Sequence, residues 1–190
     1  ITFVGKLNSA KGYDIFGNAI TKILNKYPNW KSLVIGDEPR EKLFFDHKNL
    51  RNLGFQNHKR VLDVFSKSSI AVACSRWEEP FGRTSLEAAS RGCAVIISNR
   101  GGLPETITNG IILRNLNSQS LFDALEKLII NKRTLKDLQN KSINNFYLTD
   151  KYISNKIDDY REKIVRIFNI TTVKNFSQKL KILHVTNFNE

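Results

Sequence analysis

The chain has 190 residues, of which 41% are hydrophobic, and it carries a formal net charge of +12 at pH 7. A chain of this length can bury one sizeable core, and its apolar runs are too short to cross a bilayer. The positive charge favours anionic partners, but no nucleic-acid-binding module is recognisable. We therefore expect no nucleic acid partner, and we leave open nucleotide phosphates, an anionic membrane surface or a solvated basic face.

Short apolar runs alternate with amphipathic helical patterns from the first residue onward. The apolar runs predict strands at residues 1–4, 32–35, 50–53, 70–74, 94–98 and 111–113. The amphipathic patterns predict helices at residues 13–26, 58–67, 84–91, 118–131, 134–146 and 151–168. This alternation is typical of an α/β protein with a parallel, doubly wound, Rossmann-like sheet.

The loop after the first predicted strand contains two lysines between two glycines. Gly5 and Gly12 let the backbone approach a ligand closely, while Lys6 and Lys11 place point charges beside it. This combination suits a phosphate group. The alternative is that each lysine is an ordinary exposed charge.

Two carboxylates bracket a glycine turn between the fourth predicted strand and the helix that follows it. A ligand across the carboxyl end of that strand would meet Glu79, the backbone around Gly82, the unpaired amides of the helix N-terminus and then Glu87. Phosphate oxygens favour the amides, and sugar hydroxyls favour the carboxylates. Glu87 has a competing explanation, because Thr84 and Glu87 have the spacing of a capping box that simply starts the helix.

A second glycine turn follows the fifth predicted strand. Gly101 and Gly102 predict a tight turn close to the ligand, and Pro104 suits the first turn of a short helix; a plain turn is the alternative. The three histidines lack the spacing of metal ligands and the two cysteines form no cluster, so we expect no bound metal.

The last predicted helix and the residues after it leave two questions open. An apolar stripe on this helix predicts docking against its own domain, and a membrane-surface helix is the alternative because basic residues flank the stripe. Residues 180–188 have a strand pattern, which is either the first strand of a following module or an edge strand or tail. We expect one domain over residues 1–168 and a tail over residues 169–190. The stripe consists of Ile153, Ile157, Tyr160, Ile164 and Ile167.

Four segments resemble, in order and spacing, the motifs of retaining glycosyltransferases of the two-domain GT-B architecture, in group 1 or family 4. They are residues 5–12, 34–37, 79–88 and 101–105. The resemblance implies the C-terminal, donor-binding domain of such an enzyme. The N-terminal acceptor domain would lie outside this sequence, and the domain alone is expected to be inactive.

The resemblance also implies a role for each candidate residue. Glu79 would be the catalytic group that holds the donor sugar or stabilises charge at its anomeric carbon, and Glu87 would bind the ribose hydroxyls. Gly54 and Phe55 would lie beside the base. The family more often has arginine where Lys6 stands, so the grip on phosphate is either looser or dependent on Arg83. The donor and phosphate contacts would be Gly5, Lys6, Lys11, Phe81, Gly82, Arg83, Thr84, Gly101 and Gly102.

The function that the resemblance implies is transfer of a sugar from a nucleoside diphosphate sugar to an acceptor, in glycan or polysaccharide biosynthesis, without a cofactor. A nucleotide-sugar epimerase of the same architecture and a non-catalytic nucleotide-binding module are the alternatives. The chain has no methionine and begins on a strand pattern, so we expect a piece of a longer polypeptide. Cys74 and Cys93 have the pattern of small buried hydrophobes, which indicates a reduced, cytoplasmic protein, with a peripheral position at the inner face of the membrane as the alternative.

Overall fold

The computed structural model describes residues 1–167, and these contain a six-stranded, all-parallel sheet with the order β3-β2-β1-β4-β5-β6. This confirms the predicted doubly wound α/β fold. The winding reverses between β1 and β4, which lie side by side although a long stretch of chain separates them. The strands are β1 Thr2–Val4, β2 Ser32–Ile35, β3 Leu50–Asn52, β4 Ile70–Ala73, β5 Ala94–Ser98 and β6 Ile111–Leu113.

Six α-helices and a short 3-10 helix, Leu103–Thr106, accompany the strands in the described residues. The predicted ends of the strands and helices lie within two residues of the observed ends. The largest difference is in α5, which begins two residues before the predicted position. The helices are α1 Tyr13–Lys26, α2 His58–Ser66, α3 Arg83–Ser90, α4 Ser118–Ile130, α5 Lys132–Asn144 and α6 Asp150–Ile167.

The core lies on both faces of the sheet because successive strand residues point to opposite sides. In β5, Ala94 and Ile96 pack with α1 and α4 in one hydrophobic cluster. Val95 and Ile97 pack with α2 and α3 in the other cluster. The inner strands β1, β2, β4 and β5 are therefore mainly buried, whereas the edge strand β3 is mostly exposed. The carboxyl ends of the strands project their loops to one edge of the sheet.

Glycines join the loops at this carboxyl edge. The Gly5 amide donates to the Ile35 carbonyl at 3.0 Å, and the Gly36 amide donates to the Gly54 carbonyl at 2.9 Å. Gly36 has φ +137°, and a Cβ added there would lie 1.8 Å from the Gly5 carbonyl oxygen. No larger residue fits at this position without moving the backbone, so the loops after β1, β2 and β3 stay in close contact.

The chain divides into two compact units, residues 1–148 and the residues from Thr149 onward. In the second unit, Ile153, Ile157, Tyr160 and Ile164 of α6 are 44–62% exposed. The docking of the apolar stripe against the domain stays a prediction, and so does the domain boundary at residue 168. The described residues do not include the side chain of Ile167, residue 168 or the strand pattern at 180–188. Within residues 1–167, no helix has both the length and the apolar content that a membrane span requires.

Candidate active site

A cavity of about 240 Å³ opens at the carboxyl ends of β1 and β4, where the winding of the sheet reverses. Ligands of open α/β sheets bind in the crevice at such a point. We call residues 5–12 the lysine loop and residues 74–82 the glutamate loop; they follow β1 and β4. The cavity is lined by Phe3, Val4, Gly5, Lys11, Ala73, Ser75, Glu79, Gly82, Arg83, Thr84 and Leu103.

An ion pair joins the two loops. Lys11 Nζ lies 2.5 Å from Glu79 Oε1, and the Glu79 side chain is only 12% exposed. Both residues line the cavity, so a cation and a carboxylate face the same space from opposite loops. Because the pair is partly buried, salt screens it less than it screens a surface pair.

The glutamate loop ends at Gly82, which is the N-cap of α3 in a left-handed conformation with φ +86°. A Cβ added there would lie 2.6 Å from Leu103 Cδ2, so the position also needs a small residue. The helix begins at Arg83, one residue before the predicted start, and no side chain caps it in the described structure. The first-turn amides of Arg83 and Thr84 therefore have no intrahelical acceptor, and both residues line the cavity.

The capping-box explanation of Glu87 is wrong, because the N-cap is Gly82 and not Thr84. Glu87 Oε1 instead accepts a hydrogen bond from Arg83 Nε at 2.8 Å and lies 3.0 Å from His58 Nε2. The Glu87 side chain is 16% exposed. His58 is not recognisable as a site residue in the sequence, since the contact joins α2 to α3 and no local spacing signals it.

The second glycine turn lies against the backbone of the glutamate loop. The Gly102 amide donates to the Glu79 carbonyl at 2.7 Å. Gly101 has φ +51°, and a Cβ added there would lie 2.3 Å from the same oxygen. Glu78 accepts hydrogen bonds from the Gly101 amide at 2.5 Å and from Arg100 at 3.1 Å. The two glycines thus fix the loop that carries Glu79, and neither is among the residues that line the cavity.

A second cavity of about 230 Å³ lies at the carboxyl ends of β1 and β2 and shares Val4 and Gly5 with the first. Lys6 and Phe55 line this second cavity, so the structure separates Lys6 from Lys11. Gly54 lies in the adjoining loop. Asp37 and Gln56 also line the second cavity and had no assigned role in the sequence.

Phe81, the remaining predicted contact, lies on the glutamate loop with 43% of its surface exposed.

The chemistry of the first cavity combines groups of two kinds. Lys11, Arg83 and the first amides of α3 can bind anions, whereas Glu79 can accept hydrogen bonds from hydroxyls. Glu87 lines neither cavity and lies on α3, one turn after Arg83. Within the described part of the chain, no three His, Cys, Asp or Glu residues are grouped as metal ligands would be. The site thus suits a ligand that carries both phosphate and hydroxyl groups.

Comparison with known sequences identifies a family. The family model of glycosyl transferases group 1 matches residues 1–145. Spore coat protein SA of Bacillus subtilis is 32% identical over 127 residues, which are 58% of this chain and 33% of that protein. Glycogen synthase of Mycobacterium tuberculosis is 30% identical over 117 residues, which are 58% of this chain and 28% of that protein. The chain thus spans about a third of the length of the curated relatives it matches.

Solved structures show the same fold. The C-terminal domain of a glycosyl transferase group 1 family protein, LpcC from Francisella tularensis, has a TM-score of 0.67 and 27% identity, over 75% of this chain and 82% of that one. Anabaena HepE, crystallised with UDP and glucose, has a TM-score of 0.68 and 19% identity, over 85% of this chain and 47% of that one. The second likeness concerns the fold alone. Because the family model covers most of the sequence and the LpcC neighbour is the C-terminal domain of a protein of the same family, this chain belongs to the glycosyl transferases group 1 family.

Proposed function

We propose that this chain is the donor-binding half of a retaining glycosyltransferase, which transfers a sugar from a nucleoside diphosphate sugar to an acceptor in glycan or polysaccharide biosynthesis. One observation carries the proposal. Six of the residues predicted as donor contacts or catalytic group line a single cavity at the reversal point of the sheet: Gly5, Lys11, Glu79, Gly82, Arg83 and Thr84.

The diphosphate of the donor binds, in this proposal, between the lysine loop and the start of α3. Lys11 and Arg83 supply positive charge, and the first-turn amides of α3 supply donors that the helix itself leaves unpaired. Hydrogen bonds between charged partners are the stronger ones. We propose that these groups neutralise the diphosphate without a metal ion.

The donor sugar then contacts Glu79. The Glu79 carboxylate accepts hydrogen bonds from sugar hydroxyls and stabilises the positive charge that develops at the anomeric carbon as the diphosphate leaves. Lys11 and Arg83 stabilise the negative charge on the departing group. The ion pair between Lys11 and Glu79 places both charges at the cavity that the donor would occupy. Such preorganised electrostatics are a large part of catalysis in many enzymes.

The nucleoside extends toward Glu87 and the second cavity. Glu87 accepts the two ribose hydroxyls, and the base lies near Gly54 and Phe55, with Lys6 at the same cavity. Glu87 already binds Arg83 and His58, so the ribose must share or replace these contacts. The crystal structures of Anabaena HepE with UDP and with UDP-glucose support a nucleotide sugar as the donor class.

Binding to this chain tests the first half of the proposal. UDP-glucose, GDP-mannose and ADP-glucose are titrated by calorimetry, and at least one is expected to bind. Lys11→Ala should weaken that binding by roughly tenfold or more, because a hydrogen bond to a charged group contributes about 1.5–3 kcal/mol. Lys22→Ala is the matched control, since Lys22 is exposed on α1 and lines neither cavity. Equal affinity in both variants would contradict the phosphate role of Lys11.

Product analysis on the full-length polypeptide tests the second half. A glycosylated acceptor with retained anomeric configuration supports the proposal. An epimerised sugar would instead indicate a nucleotide-sugar epimerase, and binding without any product would indicate a non-catalytic nucleotide-binding module.

A further inference from the structure

The two loops that line the first cavity come from distant parts of the chain. Lys11 and Glu79 are 68 residues apart in sequence, and their side chains meet only because the lysine loop and the glutamate loop lie side by side. The distance between these loops decides whether the charges of both residues can reach one ligand. The groups that fix this distance therefore bear on donor binding, even where they do not touch the cavity.

One backbone carbonyl joins the loops at their base. The Ala10 carbonyl accepts hydrogen bonds from the Arg76 amide at 2.8 Å and from the Trp77 amide at 3.1 Å. It also accepts one from Ser75 Oγ at 3.1 Å. Ala10 directly precedes Lys11, and the three donors lie within four residues of Glu79, so these bonds bring the loops together beside the ion pair.

The side chain of Arg76 adds a second connection. Its Nη1 and Nη2 atoms donate to the two carboxylate oxygens of Asp14 at 2.6 Å and 2.7 Å, and Nη1 also donates to the Ser9 carbonyl at 2.5 Å. Asp14 lies in the first turn of α1, directly after the lysine loop. We call Arg76, Asp14 and the Ser9 carbonyl the arginine clamp.

The geometry of the clamp requires the planar fork of arginine, which binds both oxygens of one carboxylate. The hydrogen bond from Arg76 is also the main cause of the lowered pKa of Asp14. Arg76 is 42% exposed and Asp14 is 29% exposed, and exposed ion pairs contribute little to global stability. Neither residue lines either cavity.

We propose that Arg76 and Asp14 are positioning residues for the donor site. The arginine clamp holds the glutamate loop against the lysine loop and so sets the placement of Glu79 relative to Lys11. It acts on the part of the donor that lies between these residues, the β-phosphate and the sugar, and not on the nucleoside. This inference rests on the proposed function and extends it to residues outside the cavity.

The test compares two ligands on the same variants. The probes are the nucleoside diphosphate sugar that the parent chain binds best among UDP-glucose, GDP-mannose and ADP-glucose, and the matching nucleoside monophosphate. Arg76→Ala and Asp14→Asn should weaken the binding of the sugar nucleotide by roughly tenfold, which is the effect of one lost hydrogen bond to a charged group. The same variants should weaken the binding of the monophosphate by less than about twofold. Arg76→Lys should recover part of the loss, because lysine keeps the charge and loses the fork.

The matched control is Asp137→Asn. It removes an exposed ion pair with Lys141 on α5, a helix that contributes no residue to either cavity. We expect no change in either affinity. Melting curves accompany each titration, and Asp14→Asn, which preserves size and shape, stands in should Arg76→Ala fail to fold.

Three results are decisive. If the clamp variants weaken the binding of both ligands equally, the clamp supports the fold in general, and the inference is overturned. Unchanged binding of both ligands in the clamp variants overturns it as well. Failure of the parent chain to bind any of the three sugar nucleotides is a different outcome, because it overturns the proposed function on which the inference rests.

Discussion

The Glu87 carboxylate lies between Arg83 of α3 and His58 of α2, and in our proposal it binds the ribose. Glu87→Gln keeps the size of the side chain and removes its charge. Because charged hydrogen bonds contribute about 1.5–3 kcal/mol each, we expect the affinity for the preferred nucleoside diphosphate to fall by roughly tenfold or more. Calorimetry measures this, and Glu105→Gln, at an exposed position outside both cavities, is the control. Unchanged affinity in Glu87→Gln would exclude the ribose role.

The two cysteines are free and buried, and burial raises the pKa of each thiol to about 12. At pH 8 both therefore remain neutral, and only the thiolate reacts with alkylating reagents. We expect iodoacetamide to label neither residue in the native chain and both after denaturation, as mass spectrometry would show. Rapid labelling of the folded chain, or a disulfide in freshly purified protein, would contradict this assignment.

At the scale of single residues, the sequence predicts six of the residues that line the first cavity but does not reveal contacts between distant segments. Lys11, Glu79 and Arg83 were recognisable because they lie in glycine-rich loops beside predicted strand ends. His58 and Arg76 were not, since each meets its carboxylate across a contact between distant segments. Glu78 accepts a hydrogen bond from the Gly101 amide, a bond that only the folded loops create and that no local spacing signals.

At the scale of elements, the start of α1 meets the end of β4 with no space between them. Gly12 has φ +74°, and a Cβ added there would lie 1.9 Å from the Cys74 carbonyl oxygen. Gly54 has a similar φ of +64° but open space around it. Gly54→Ala should cost about 1–2 kcal/mol of unfolding free energy for the left-handed conformation alone. Gly12→Ala should cost about 1–3 kcal/mol more, because the backbone must shift. Urea unfolding measures both, and equal losses would contradict the close contact.

The connection between α1 and the glutamate loop also depends on pH. The pKa of Asp14 is lowered in the folded chain, chiefly by Arg76, so its contribution to stability is present above the unfolded pKa of about 3.9 and is lost as pH falls through the folded pKa. We expect the unfolding free energies of the parent and Asp14→Asn to differ by less than about 1 kcal/mol at pH 7, and this small difference to be lost as the pH falls below about 4. Urea unfolding across this range provides the check. A difference that stays constant with pH would show that Asp14 does not act through its charge.

Element positions followed closely from the sequence, because buried strands flanked by amphipathic helices leave a strong periodic pattern. The start of α3 shows where this pattern fails. Thr84 is a residue type that is typical of N-caps, but the N-cap is Gly82, in a left-handed conformation against Leu103. Local propensity does not encode this tertiary contact. Because the N-cap lies at Gly82, two residues before Thr84, the capping-box explanation of Glu87 is excluded.

At the scale of the whole molecule, we propose that this chain supplies one wall of a cleft. The two cavities described above open at the carboxyl edge of a single sheet, and the chain spans about a third of the length of its curated relatives. We expect the 190-residue chain to bind the donor, more weakly as salt increases, and to form no glycosylated product. A radiolabelled donor assay with the full-length polypeptide alongside measures this. Turnover by the 190-residue chain alone would contradict the expectation.

The Ala10 carbonyl has a consequence for how such a site changes during evolution. Every amino acid presents the same carbonyl, so position 10 can accept many replacements without losing its three hydrogen bonds, and natural variation there leaves the cleft intact. Arg76 and Asp14 are different, because each depends on the side chain of the other. In diverging homologues these two positions should be replaced together, so the pair would be visible as covariation, whereas the backbone contact beside it would leave no trace in an alignment.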